Sequence, residues 1–153
     1  MMEPVPAELR ALLDRDEIER LLKRYARALD DKDYDVLDSC FTMDARIDFS
    51  EAGGIDAPYP EVKTWLKQVL DPLVEMQHFI TNVEVELEND TATGRTYTLN
   101  VNGIGDASGA VRHMVVGAVY EDRFVRTGQG WRIAQRREYR LCTMGHRFGP
   151  DSN

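Results

Sequence analysis

The hydrophobic period of this chain changes once, and that change limits the folds open to it. Up to about residue 70 the apolar side chains recur in steps of three and four; from about residue 76 they recur in steps of two. In the first part, Ile18, Leu21, Leu22, Tyr25, Ala26 and Leu29 form one helical stripe, with Arg20, Lys23, Arg24 and Arg27 largely off it. Asp14 followed by Glu17 has the spacing of a capping box, so the helix is predicted to start there, with LRALL (9–13) able to extend it backwards. Asp30, Asp31, Lys32 and Asp33 break the stripe, and a second short helix would bury Val36, Leu37, Cys40 and Phe41. MDARIDFS (43–50) alternates like a strand, and EAGGIDAPYP (51–60) reads as a loop. EVKTWLKQVL (61–70) reads as a helix with Val62, Trp65, Leu66 and Val69 inward, ended with the help of Pro72. Strands are then predicted over 78–90, 92–105, 111–127 and 131–145, joined by turns at Asn89-Asp90, GDASG (105–109) and TGQG (127–130). Helices first and long antiparallel strands afterwards give an α+β fold, with the helices packed on the concave face of a curved sheet. A sheet bent in this way encloses an apolar cavity open at one end, a common ligand site.

A length of 153 residues suits one domain, 1–153, with a core over about 9–142 and loose termini. The net charge of −8 argues against a nucleic-acid surface or an anionic membrane as partner. MMEPVPAELR lacks the basic and apolar regions of a signal peptide, and no apolar run approaches a membrane span of roughly 18 residues. Cys40 and Cys142 are too few for a disulfide framework and are expected as free thiols. A cytoplasmic location is therefore expected.

Three residues could converge on the cavity. Tyr25 lies one turn before the first helix ends, Asp30 lies where it stops, and His78 opens the strand region in MQHFITN. Eliminating water or HX beside a carbonyl needs a base for a carbon-bound proton and a donor for the developing oxyanion or leaving group. Neutral imidazole is a suitable base, and a carboxylate on its other nitrogen fixes the tautomer and stabilises the imidazolium. Asp30 would orient His78, and Tyr25 would donate to the substrate oxygen. The scheme requires no metal and no organic cofactor. Asp30, Asp31, Asp33 and Asp35 lack the Gly and closing Glu of a calcium loop. Each residue also has a bland role: Tyr25 as a core tyrosine, Asp30 as a turn residue, His78 as a satisfied strand histidine. Trp65 and Trp131 read as core, His146 as tail, and the alternating RREYR run (136–140) as a solvated or interface strand face.

The pattern Tyr25-x4-Asp30-x2-Asp33-Tyr34, then Cys40-Phe41 and Asp44-Ala45, resembles the opening of SnoaL-like proteins of the nuclear transport factor 2-like superfamily. His78 with Asn82, Gly117-x2-Tyr120, Gly130-Trp131-Arg132-Ile133 and Arg137 fit its later strands. The resemblance implies a cone-shaped antiparallel sheet with N-terminal helices over its concave face. It implies activities ranging from scytalone dehydratase, bile-acid 7α-dehydratase and dehydrochlorinase to ketosteroid isomerase, polyketide cyclase and non-catalytic assembly subunits. The dehydratase branch is the nearest match: it uses a Tyr on the first helix, an Asp at its end and a His on the sheet, matched by Tyr25, Asp30 and His78. It also implies His113 as a second histidine and Arg140 as a late-strand arginine, with Arg136, Arg137 and Arg147 close by. The implied protein is a cofactor-independent lyase acting on a small apolar or cyclic hydroxyketone, steroid- or polyketide-like. An isomerase or cyclase, or a ligand-binding or assembly subunit, are the alternatives. Relatives dimerise or trimerise through the sheet, so a homo-oligomer is implied.

Overall fold

In the computed structural model, residues 5–145 are described. Helix α1 (Ala7–Asp30) runs into the short helix α2 (Tyr34–Asp38) and strand β1 (Phe41–Asp48). A 3₁₀ turn (Ser50–Ala52), strand β2 (Asp56–Pro58) and helix α3 (Tyr59–Leu70) follow. The second half is four long strands: β3 (Leu73–Glu88), β4 (Thr91–Gly105), β5 (Val111–Thr127) and β6 (Gly130–Gly145). All six strands form one curved, unclosed sheet in the order β2-β1-β6-β5-β4-β3. The fold is the expected α+β arrangement, with one refinement. β1 pairs parallel to β6, while the other neighbours are antiparallel. Among the described residues no helix is long and apolar enough to cross a membrane. Cys40 and Cys142 are free thiols.

The sheet bends where its ladders slip. Register shifts fall between Thr81 and Glu84 in β3, and at Gly117/Ala118 and Arg123/Phe124 where β5 meets β6. Each extra residue adds local twist and bend. Asn82 takes the left-handed conformation at the β3 shift (φ 46°), one that Asn tolerates better than most residues.

The helical stripe read from the sequence is the buried face of α1: Ile18, Leu21, Leu22, Tyr25, Ala26 and Leu29 are all at most 5% exposed. It packs on Phe124, Trp131 and Ile133 of the concave sheet face in one core cluster. The N-terminus of α1 differs from expectation. The helix begins at Ala7, and Asp14 lies inside it rather than capping it. AELRALL contains good helix formers and nothing that would stop a helix. Asp14 and Glu17 instead reach the β5–β6 hairpin. Asp14 accepts from Arg126 Nη2 (2.7 Å) and Trp131 Nε1 (3.2 Å), and Glu17 accepts from the Trp131 amide (3.2 Å). Arg126 holds the Asp14 carboxyl below the usual carboxylate range, against burial.

The 51–60 segment is more ordered than a loop. It holds the 3₁₀ turn and β2, which pairs with β1 through Arg46–Pro58 to Asp48–Asp56. In α3, Val62 and Leu66 are buried as expected, but Val69 is 39% exposed and Tyr59 and Leu70 take inward places.

The RREYR run is also not a solvated face throughout. Arg136 is 1% exposed and forks onto Asp122 through Nε and Nη2, both at 2.7 Å. Removing one partner of such a pair leaves an uncompensated buried charge. Arg136→Met is expected to cost about 3–5 kcal/mol in urea unfolding, and the double replacement Asp122→Leu/Arg136→Met should recover most of that loss.

Candidate active site

The two halves of the site are brought together by a clasp between turns. Lys32, in a left-handed conformation (φ 52°) just after α1, donates from Nζ to the carbonyls of Asp71 (2.9 Å) and Leu73 (2.7 Å). Tyr34 donates its hydroxyl to Asp71 at 2.8 Å. The end of α1 is thereby fixed against the start of β3.

Across that clasp, the Asp30 carboxylate grips His78 twice. It accepts from the His78 backbone N–H at 3.0 and 3.1 Å, and Oδ1 lies 2.6 Å from ring Nδ1. The imidazole side chain is only 7% exposed. A carboxylate on Nδ1 selects the tautomer with its proton there, which leaves the Nε2 lone pair free. His78 lines a cavity of about 260 Å³.

Tyr25 lines the same cavity, reached from α1. Its ring meets Phe41 and Tyr120 edge to face, with centroids 5.8 and 5.9 Å apart. The buried Arg136 guanidinium lies 4.2 Å from the Tyr25 centroid and 4.0 Å from that of Tyr120. Burial pushes the Tyr25 phenol up to about 12, with the Arg136 cation pulling the other way. The phenol is therefore a neutral donor at physiological pH.

Sequence reading places the other candidates less well. Arg140 does line the cavity, at its rim, where Gly53 (φ 89°) closely approaches its guanidinium. His113 does not line it. It sits on the opposite sheet face from the cavity-lining Met114 and Val116, half-exposed, with Nε2 2.5 Å from Glu75. Strand parity allows only one of these two sets to face inward. Trp131 is core as expected, but Trp65 is cavity wall. His146 and Arg147 lie outside the described residues.

Among the cavity residues that escaped the sequence reading, Asn100 and Glu138 carry polar groups that face the space. Asn100 is the cross-strand partner of His78, is 6% exposed, and has a buried Oδ1 without a hydrogen bond. Glu138 lies opposite Tyr120 in the β5–β6 ladder and lines the cavity, half-buried. Burial raises its carboxyl to about 7, although Arg136 and Arg140 both pull it down. The available signal was the alternation of 136–140, which puts Arg136, Glu138 and Arg140 on one face. The remaining cavity wall is largely apolar: Leu29, Phe49, Trp65, Leu66 and Val116. Among the described residues no three His, Cys, Asp or Glu side chains are grouped to hold a metal ion.

The SnoaL-like domain profile matches residues 10–137. An uncharacterised protein of Mycobacterium tuberculosis is 42% identical over 126 residues, covering 82% of this chain and 84% of the relative. Among solved structures, a hexachlorocyclohexane dehydrochlorinase from Novosphingobium barchaimii superposes with a TM-score of 0.77 at 18% identity, covering 96% of this chain and 99% of its own. A scytalone dehydratase candidate from Novosphingobium aromaticivorans gives a TM-score of 0.79 at 18% identity, covering 91% of each chain. At that identity the two structures attest the fold.

The Glu138 carboxyl makes a prediction about stability. Its folded value, about 7, lies above its ordinary value of 4.5, so the folded state binds the extra proton. Stability is lost as pH rises from the ordinary value through the folded one. Glu138→Gln is therefore expected to raise the melting temperature more at pH 8 than at pH 5, measured by thermal denaturation at both.

Proposed function

The chain belongs to the SnoaL-like domain family, and on that premise we propose that it is a cofactor-independent lyase acting on a cyclic ketone. The observation that carries this reading is the 2.6 Å contact between Asp30 and the His78 ring at the wall of an apolar cavity shared with Tyr25. In the reaction, the substrate carbonyl accepts a hydrogen bond from the Tyr25 phenol. His78 Nε2 removes the proton from the carbon beside that carbonyl. The electron pair flows towards the carbonyl oxygen and then returns to expel the group on the next carbon. Asp30 holds the ring in the basic tautomer and stabilises the imidazolium. Tyr25 contributes by stabilising charge on oxygen in a cavity with a largely apolar wall.

Cavity size narrows the substrate. About 260 Å³ falls just below the usual range of about 300–1,000 Å³ for small-molecule pockets. One or two fused rings suit it better than a four-ring steroid. The space is also not filled by side chains, which favours a ligand site over a purely structural subunit. A product whose double bond has moved without loss of a group would make the site that of an isomerase.

The opposite sheet face exposes Phe79, Leu99, Leu141 and Met144, at 39–57%. A second copy of the chain, in a dimer or trimer, is the occupant we assign to it.

Cyclic β-hydroxyketones, with the enone product followed by its ultraviolet absorbance, test the chemistry. His78→Ala and Asp30→Asn are each expected to lower kcat/KM at least about a hundredfold with the fold retained by circular dichroism. Rates equal to those of the unaltered protein would rule out the dyad. Leu141→Lys together with Met144→Lys should shift the mass by light scattering towards 17.5 kDa, that of one chain. An unchanged mass, or a single-chain mass before substitution, would remove the oligomer.

A further inference from the structure

We propose that Glu138 is the acid of this site, delivering a proton to a departing hydroxyl while His78 removes the proton beside the carbonyl. This rests on the elimination reading above, and it assigns the leaving group: oxygen rather than halide.

Position comes first. His78 is on β3 and Glu138 on β6, with β4 and β5 between them, and both line the one cavity. The ladder row of His78 runs through Asn100 and Val116, and that of Glu138 through Tyr120 and Thr96, so the two stand apart along the strands as well as across them and meet only through the cavity they share. A base and an acid on two sides of a ring are what elimination across one of its bonds needs.

Pairing comes second. Among the described residues no hydrogen bond or ion pair engages the Glu138 carboxyl, although two arginines share its face. Arg136 is committed to Asp122. Arg140 lies one strand step away, under Gly53. The carboxyl is thus free to meet a guest. The groups around it are Tyr25 from α1, Tyr120 from β5 and Arg136 and Arg140 from β6, with His78 across the cavity on β3; β4 brings the non-titrating Thr96, Asn100 and Asn102. Burial in this setting raises the carboxyl to about 7. Much of it therefore carries a proton near neutrality, the state an acid catalyst requires.

The step balances. The C–H electron pair becomes the new C=C bond, and the C–O bond breaks with its pair on oxygen. The Glu138 proton completes a water molecule. His78 is left with the proton taken from carbon, and solvent returns it to Glu138. The net change is β-hydroxyketone to enone plus water. Chloride departs without a proton and gains nothing from the Glu138 acid, whereas a hydroxyl needs one to leave as water, so this wall suits a hydroxyl.

Paired probes on one ring test the assignment: 3-hydroxycyclohexanone, whose leaving group needs a proton, and 3-acetoxycyclohexanone, whose leaving group does not. Glu138→Gln is expected to lower elimination of hydroxide at least a hundredfold and elimination of acetate by less than tenfold. His78→Ala should lower both alike. Equal losses on the two probes in Glu138→Gln, or no loss on either, would overturn the role of Glu138 while leaving the dyad intact. A wild-type protein inert on both would count against elimination itself, and this role would fall with it. The carboxyl ¹³C resonance missing from Glu138→Gln gives an independent reading. Titration near 7 supports the acid, and titration in the ordinary carboxylate range overturns it.

Discussion

The Asp30 carboxylate stands at the C-terminal end of α1, where the helix dipole is negative and a second negative charge is unfavourable by about 0.3–1 kcal/mol. Two donors from one residue offset that cost: the backbone N–H and the ring nitrogen of His78. Because one donor belongs to backbone, the contact fixes where β3 passes as well as how the imidazole turns. The Lys32 and Tyr34 clasp depends on the same approach, since it ties the turn after α1 to the turn before β3. The cavity lies between the helix and the sheet that this junction sets. The His78 ring there faces both the Asp30 carboxylate and the C-terminal end of a 24-residue helix.

A second pair of charges serves the opposite purpose. Arg136 and Asp122 are fully buried and closed upon each other, so neither is offered to a ligand. The guanidinium lies between the rings of Tyr25 and Tyr120, and contacts of this kind are worth more when desolvated. The pair therefore reaches the cavity through Tyr25, whose ring the guanidinium faces. Replacing such a buried ion pair by hydrophobic residues of equal volume is often neutral in total stability. Such a replacement would give no cation to face the aromatic rings, and the phenol would lose the one positive charge that opposes the effect of burial.

Which parts of this were legible in the sequence follows from what periodicity can report. It finds faces, so the buried stripe of α1 and the four long strands stand close to where they were expected. It does not say which face of a strand looks inward. His113 and the pair Met114 and Val116 are one residue apart, and only the assembled sheet puts the histidine outside. The same ambiguity hid Arg136 and Glu138, because an alternating charged run resembles a solvated edge until a helix covers one side. Asp14 and Glu17 mimic a cap in spacing, but their partners are 112–117 residues away in the hairpin. Asp30 and His78, 48 residues apart, were joined by order and residue type. Their contact distance required the fold.

The polar groups and the apolar wall of the cavity come largely from different layers of this molecule. His78, Asn100, Glu138 and Arg140 project from the sheet; Asn100 has ladder partners on both sides, in His78 and Val116, while His78 on the edge strand β3 pairs with Asn100 alone, and Glu138 and Arg140 pair with Tyr120 and Ala118 of β5. Much of the apolar wall comes from outside the long strands: Phe49 just after β1, and Trp65, Leu66 and Val69 on α3. The 3₁₀ turn closes the rim through Ala52 and Gly53. A change in α3 or this turn alters the volume offered to a guest without moving a ladder hydrogen bond. A change in the sheet face alters the polar groups presented to the cavity without altering that wall. The separation gives a physical reason why one fold can keep an imidazole and carboxylate beside a helix end while the shape of its cavity varies, since the two depend on different elements.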